Sequence, residues 1–369
     1  MGLSKIRLGD YIERSTINNR DLMYGTDLIV GVNSDGVFAA PKGNTDGVDL
    51  KPYKIVRNGA FVYNPTRLEL GSIAYRTDGL CIVSHLYIVF YLTEEGRKQI
   101  DPMWLYIYVR RAEFCREVTF RNFGSQRPEF NFSDMSEIVI PLPDIEIQWK
   151  YVAVYQAMLE NQKSYARGLA DLKLVCDAYI EDLRRNMPCE AIGKYVHPYN
   201  VKNTEGEITL EQGINIEKKF ITPQRSNDNF YGRKIVKTGH IAYCTQLNNE
   251  NVAIALRTGA DCIVSGVYDV IELNEGNKIL PSYLMLWLVR SEFGRFVYWA
   301  SQGTSYEFLT YDNLANYQIP VPGIDLQRAI ADIYEVYLER KEINEKLKAQ
   351  IKAICPVLIK GSIEEAERA

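Results

Sequence analysis

The sequence predicts an α+β chain: two duplicated, mixed α/β globular domains separated by two long helices that pair as an antiparallel coiled coil. Three observations predict it. Residues 140–148, IPLPDIEIQ, return 179 positions later as IPVPGIDLQ (319–327). Four further segments repeat in the same order with nearly the same offset. After each proline pair the hydropathy pattern changes from short alternating runs to one long helical stripe. A repeat at a fixed offset is the signature of one structural unit used twice.

The repeated segments define the globular parts, placed at 1–143 and 187–321. GVNSDGVFAAPKGNTD (31–46) aligns with GINIEKKFITPQRSND (213–228), YKIVRNGAFVY (53–63) with RKIVKTGHIAY (233–243), and RTDGLCIVS (76–84) with RTGADCIVS (257–265). These runs are rich in Val, Ile, Tyr and Phe, alternate with period 2 and end in Gly, Asn or Asp turn signals, so they read as β-strands. WLYIYVRRAEFCREV (104–118) and YLMLWLVRSEFGRFV (283–297) have the length and spacing of a helix packed on the sheet.

The helices are placed at 144–186 and 322–369, the second with a C-terminal tail. Proline holds its preceding residue extended, so no helix begins before Pro143 or Pro322 is passed. Asp144 and Gly323 then stand at plausible helix starts. A 3-4 spacing in the second helix selects Ile330, Ile333, Tyr337, Arg340, Asn344, Leu347, Ile351, Ile354 and Leu358. Stepping back 179 positions selects Tyr151, Val154, Met158, Asn161, Tyr165, Gly168, Leu172, Val175 and Tyr179. Matched heptad stripes predict a coiled coil, with polar interruptions of the kind that fix register. Each helix of about 40 residues would be roughly 60 Å long at 1.5 Å per residue, which suits a spacer. The alternative is that each stripe packs on its own domain.

Composition bounds the function. At 369 residues, with 46% hydrophobic and 24% charged positions, the chain can bury a core in each domain. No apolar run is long enough for a membrane helix. The start, MGLSKIRLGDYIE, has neither a secretory h-region nor a myristoylation pattern. Seven cysteines (81, 115, 176, 189, 244, 262, 355) form no CxxC pair, so a reducing cytoplasm is expected, with neither metal nor disulfide. Net charge is −4, and regional counts are balanced: 17 basic and 17 acidic groups in 1–143, 12 and 14 in 187–319. A uniformly basic nucleic-acid binder is therefore excluded, and any such function rests on local patches.

Catalytic constellations are missing from the sequence. The three histidines, His85, His197 and His240, stand at no metal-ligand spacing and read as strand-edge or loop residues. No GxGxxG, Walker A, HExxH or GxSxG motif occurs. YNPT (63–66) lacks the second proline and the stacking aromatic of an amino-methyltransferase motif, and PDIEIQWK (143–150) offers no separate acidic partner.

The order of a globular unit, IPLPDIEIQ and a long helix, then a second unit, IPVPGIDLQ and a second helix, resembles the specificity subunit of type I restriction-modification systems. GAFVYNPTRLELGSIAYRTDGLCIVSHLYIVF (59–90) is similar to that family's target-recognition domains. The chain departs from the family where its helices open Pro-Leu-x-Glu-Gln: Ile147 and Leu326 replace the glutamate, while Gln148 and Gln327 keep the glutamine. The second unit also has QLNNEN (246–251) where Arg67 stands in the first. The resemblance implies a subunit without catalysis of its own, each domain reading one half of a split site on double-stranded DNA and the helices setting the gap. It implies two methyltransferase subunits docked on the helices, and restriction-translocase subunits docked on those. No cofactor is expected in this subunit; S-adenosylmethionine, ATP and Mg²⁺ would belong to the partners, with no membrane involved.

Base readout needs side chains with paired donors and acceptors on loops that enter the major groove. The aligned loops after Pro41 and Pro223 offer Lys42 and Asn44 in the first unit and Gln224, Arg225 and Asn227 in the second. They differ while their flanks match, as two halves reading different bases require; the other reading is solvated turns. A second pair of loops offers Gln126 and Arg127 in GSQRPEF (124–130), and Ser305 and Tyr306 in GTSYEF (303–308). Arg57, Arg67 and Arg121 in the first unit, and Lys218, Lys219, Arg233 and Lys237 in the second, are the phosphate candidates. A competing function is a non-DNA adaptor displaying two duplicated domains for protein binding; another is an enzyme with an unfamiliar site.

Overall fold

The computed structural model describes residues 3–41, 43–122, 129–223, 229–247, 250–276, 278–301 and 308–369. The chain divides into two compact units, residues 1–164 with 344–369, and residues 165–343.

The first unit is built on a four-stranded antiparallel sheet in the order Ile12–Ser15, Ile88–Leu92, Phe61–Tyr63, Ile73–Tyr75. Successive side chains in a strand point to opposite faces. Phe61, Tyr63 and Phe90 therefore fall into one apolar cluster, and Val62, Ala74 and Val89 into another. Burial on both faces explains why CIVSHLYIVFYL reads as nearly unbroken apolar sequence. A small ladder of Lys54–Val56 with Cys81–Val83 and the hairpin Gly31–Val32/Phe38–Ala39 close the second cluster. Helices α1 (Glu94–Gln99), α2 (Pro102–Val109), α3 (Ala112–Arg121) and α4 (Phe132–Ser136) complete the globular part.

The one helix expected over 104–118 is two. Arg111 leaves helical geometry (φ −70°, ψ 151°) to become the N-cap of α3. Trp104, Leu105, Ile107, Tyr108 and Val109 make α2 buried nearly all round, whereas α3 buries only Phe114 and Val118. A wholly buried segment and a one-faced segment cannot share one straight axis over a curved core, so the chain turns between them. Asp101 starts α2 by accepting hydrogen bonds from the backbone of Met103 and Trp104 at 2.8 and 3.0 Å, with Pro102 at the first position.

IPLP is the end of a strand: Val139–Leu142 pairs antiparallel with Ser4–Arg7. The long helix α5 (Ile145–Asn186) follows, and the Asp144 carbonyl accepts from Ile147 and Gln148 at its first turn. The second unit repeats the plan. Its sheet runs Val196–Pro198, Tyr268–Leu273, Ile241–Cys244, Ile254–Leu256, and Cys189–Ala191 pairs with Gln318–Pro320. Helices α6 (Pro281–Leu288), α7 (Ser291–Ala300) and α8 (Tyr311–Ala315) stand where α2, α3 and α4 do, and the 45-residue α9 (Ile324–Arg368) ends the chain.

Within the first unit, the start of α5 packs antiparallel on the end of α9. Lys150 and Tyr151 reach Glu365 at 2.7 and 3.1 Å, and Gln162 reaches Asn344 at 2.9 Å. Val152 and Tyr155 of α5 join Ile351, Cys355, Leu358 and Ile359 of α9 in the domain's own core. In the second unit the roles exchange: Ile180 and Leu183 of α5 and Ile330 of α9 enter the core there. Arg340 lies over the Tyr165 ring at 6.0 Å. Pairing and packing on the domain are thus both realised, along different stretches of the same helices.

The stripe expected on α5 is displaced by one residue. Val154, Val175 and Tyr179 are 48%, 42% and 44% exposed, whereas Val152, Tyr155, Cys176, Ile180 and Leu183 are buried. On α9 the expected stripe largely holds: Ile330, Asn344, Ile351 and Leu358 are buried, although Arg340 is exposed. The α5 arc is apolar over more than one heptad column, and the domain core, not the partner helix alone, selects which column turns inward.

Candidate nucleic-acid interface

Most of the residues singled out for base reading, Lys42, Gln126, Arg127, Gln224, Arg225, Asn227, Ser305 and Tyr306, lie outside the described residues. Asn44 is described. It is exposed, and its Oδ1 accepts from the Asp46 backbone at 2.9 Å, the local turn that Asn favours. Arg67, also exposed, sits where the chain enters a short 3-10 turn at Leu68–Leu70. The structure brings these two together: Asn44 and Arg67 line one cavity of about 570 Å³, whose other wall is the hairpin from Gly31 through Val32 and Asn33 to Ser34.

That hairpin is braced in each unit. Tyr87 Oη accepts from the Val32 backbone at 3.2 Å, and Tyr268 Oη accepts from Ile214 at 3.1 Å. The tyrosines are themselves held, since Lys54 donates to the Tyr87 carbonyl at 2.6 Å and Lys234 to the Tyr268 carbonyl at 3.1 Å. Lys234 also pairs with Asp269. Ser72 Oγ adds a bond to the Val32 carbonyl at 2.9 Å. In the second unit Arg257, only 7% exposed, donates to Gln212 Oε1 at 2.5 Å and to the Ala260 carbonyl at 2.6 Å, just ahead of the hairpin. Sequence reasoning overlooked these braces, although Tyr87, Lys54 and Arg76 are matched by Tyr268, Lys234 and Arg257 in the aligned repeats.

The phosphate candidates separate by environment. Arg57, Lys219 and Lys237 are exposed, with Lys237 over the Tyr199 ring at 5.8 Å. Arg121 is engaged by Glu117 at 3.0 Å on the last turn of α3. Arg233 is 17% exposed, pairs with Glu211 and donates to the Asn229 carbonyl at 2.6 Å, which makes it a brace. Lys218 is half-buried, donates to the Val252 carbonyl at 2.8 Å, and burial pushes its ammonium down to about 8. An ammonium so engaged is a poor contact for phosphate.

Among the described residues no group of three or more His, Cys, Asp or Glu could hold a metal ion. His197 and His240 share the Glu272 carboxylate at 2.9 and 3.4 Å, and burial pulls the His240 imidazole below its ordinary range. No helix among the described residues is long and apolar enough to cross a membrane.

Comparison with known proteins gives the same duplication. The family described as "Type I restriction modification DNA specificity domain" matches twice, over residues 6–170 and 193–353. No curated protein matches. Among solved structures, the S subunit of the type I restriction-modification system from M. genitalium is 14% identical, with 98% of this chain and 96% of that chain covered at a TM-score of 0.60. The HsdS subunit from Thermoanaerobacter tengcongensis is 18% identical, with 98% and 96% covered at a TM-score of 0.41. A structure titled for complex assembly and conformational transition of the type I R-M system is 16% identical, with 99% and 97% covered at 0.47. With two copies of the domain spanning most of its length, this chain belongs to the type I restriction-modification DNA specificity family.

Proposed function

We propose that the chain is the DNA-sequence specificity subunit of a type I restriction-modification complex and performs no catalysis of its own. Each globular domain reads one half of a bipartite site on double-stranded DNA. Helices α5 and α9 set the unread gap and carry two methyltransferase subunits, with restriction-translocase subunits joining through those. S-adenosylmethionine, ATP and Mg²⁺ are bound by the partners, and the assembly works in the cytoplasm.

The observation that carries this reading is the double occurrence of a DNA specificity domain in one chain. Matched frameworks with unmatched loops fit two readers that approach DNA alike and recognise different bases. The balanced charge of each domain fits a reader whose partners supply much of the phosphate contact, because affinity for DNA is dominated by neutralised phosphates.

Methylome sequencing of cells with and without this gene tests the proposal. Loss of adenine methylation at a single split motif is the expected result. A continuous motif, or no change, overturns it, and the second outcome favours the adaptor.

A further inference from the structure

The tip of the cavity hairpin is held differently in the two units, and the difference is reciprocal. Both tips are built alike: Asn33 Oδ1 accepts from Val37 at 3.1 Å, and Asn215 Oδ1 accepts from Lys219 at 3.0 Å. The aligned tip residues, Gly36 and Lys218, both adopt positive φ, +71° and +62°. Glycine takes that geometry freely, whereas a lysine there is strained.

In the first unit a helix residue fills the space. Arg110, at the end of α2, lies against Gly36 so closely that a Cβ added there would collide with its guanidinium. The guanidinium sits over the Tyr106 ring at 5.4 Å, and Tyr106 Oη donates to the Gly36 carbonyl at 3.1 Å. Nη1 is buried without a hydrogen-bond acceptor among the described residues, so its burial serves packing against the tip. In the second unit the residue aligned with Arg110 is Val289 and the one aligned with Tyr106 is Met285. There the cation comes from the tip itself, where Lys218 donates to the Val252 carbonyl at 2.8 Å. Gly36 is thus matched with Arg110, and the aligned Lys218 with Val289, so each unit carries one cation at this pair of aligned positions.

Resting on the proposed DNA-reading role, we infer that Arg110 and Lys218 are positioning residues, each fixing the hairpin that forms the reading surface of its own half-site. Neither touches a base. Arg110 acts through Gly36 on the wall of the Asn44–Arg67 cavity, and Lys218 acts on its own hairpin tip through the Val252 carbonyl. The strain retained at Lys218 is the sign of this role, since glycine would satisfy the backbone better and serves at the tip of the other unit.

The test uses the full complex with its methyltransferase partner and reads methylation of each half-motif separately, together with thermal unfolding. Lys218→Gly removes the pin while relieving the strain. Discrimination is expected to fall about tenfold, the value of one lost charge-assisted hydrogen bond, at the half-site read by the second domain. The half-site read by the first domain should be unchanged and the thermal midpoint unchanged or raised. The triple variant K218G/M285Y/V289R supplies the three residues of the first unit's arrangement and is expected to restore discrimination. Unchanged discrimination in Lys218→Gly, or an equal loss at both half-sites, overturns the inference. If the wild-type complex writes no split motif, the proposed function itself fails, which the wild-type lane reports before any variant is compared.

Discussion

Gln148 and Gln327 are the residues whose meaning the structure changed most. Each is wholly buried in the first turn of its long helix. Gln148 Nε2 donates to the Gln99 and Pro143 carbonyls at 2.8 and 2.7 Å, while its Oε1 accepts from the Asp101 backbone at 2.8 Å. Gln327 does the same with Lys278, Pro322 and Leu280 at 2.6, 2.8 and 2.9 Å. A primary amide alone supplies two donors and an acceptor in that geometry. It ties the strand end, the start of the long helix and the segment entering α2 or α6 at one point. Gln148→Leu would leave three backbone groups unpaired and should cost about 3 kcal/mol or more, read as a lower denaturation midpoint. Gln148→Glu should be at least as damaging, because a carboxylate would face two carbonyls; a midpoint within error of wild type would refute the clamp. The repeated glutamine was visible in the sequence as a letter, but two of its three partners lie 47 and 49 residues away and only the fold assembles them.

At the scale of elements, the long helices were legible from the proline pairs and the change of period, and so were the sheet strands. Two things were not. The break between α2 and α3, and between α6 and α7, leaves no Pro or Gly at the junction, because the turn is dictated by what each half must bury. The facing of α5 was displaced by one residue because Val152, Tyr155, Leu159, Leu169 and Ile180 form a stripe as apolar as the neighbouring one through Tyr151, Val154, Met158 and Leu172. Two overlapping apolar columns do not rank themselves; contact with the domain core does. Val152→Asp should destabilise the first unit by about 3 kcal/mol or more, since it buries a charge without a partner. Val154→Asp should change stability by less than about 0.5 kcal/mol. Equal effects in urea titrations would return the seam to the sequence-derived column.

At the scale of the whole molecule, neither long helix belongs to one domain. Residues 145–164 of α5 and 344–368 of α9 lie in the first unit, and the remainder of each helix in the second. If these helices set the gap, inserting one heptad into each, after Ser164 and after Ile343, adds about 10 Å at 1.5 Å per residue, or roughly three base pairs. The methylated motif should then keep both half-sequences and lengthen its gap; an unchanged gap would show that something else sets it. The sequence by itself determined the duplication, the two kinds of segment in each copy and the points where one gives way to the other, because repetition, hydropathy period and proline geometry are local properties of the chain. Only the tertiary structure decided which column of α5 faces inward, which cations brace and which stay exposed, and how one hairpin is pinned by Arg110 in one copy and Lys218 in the other. Those outcomes depend on which distant surfaces compete to bury the same side chain, and that competition exists only once the chain is folded.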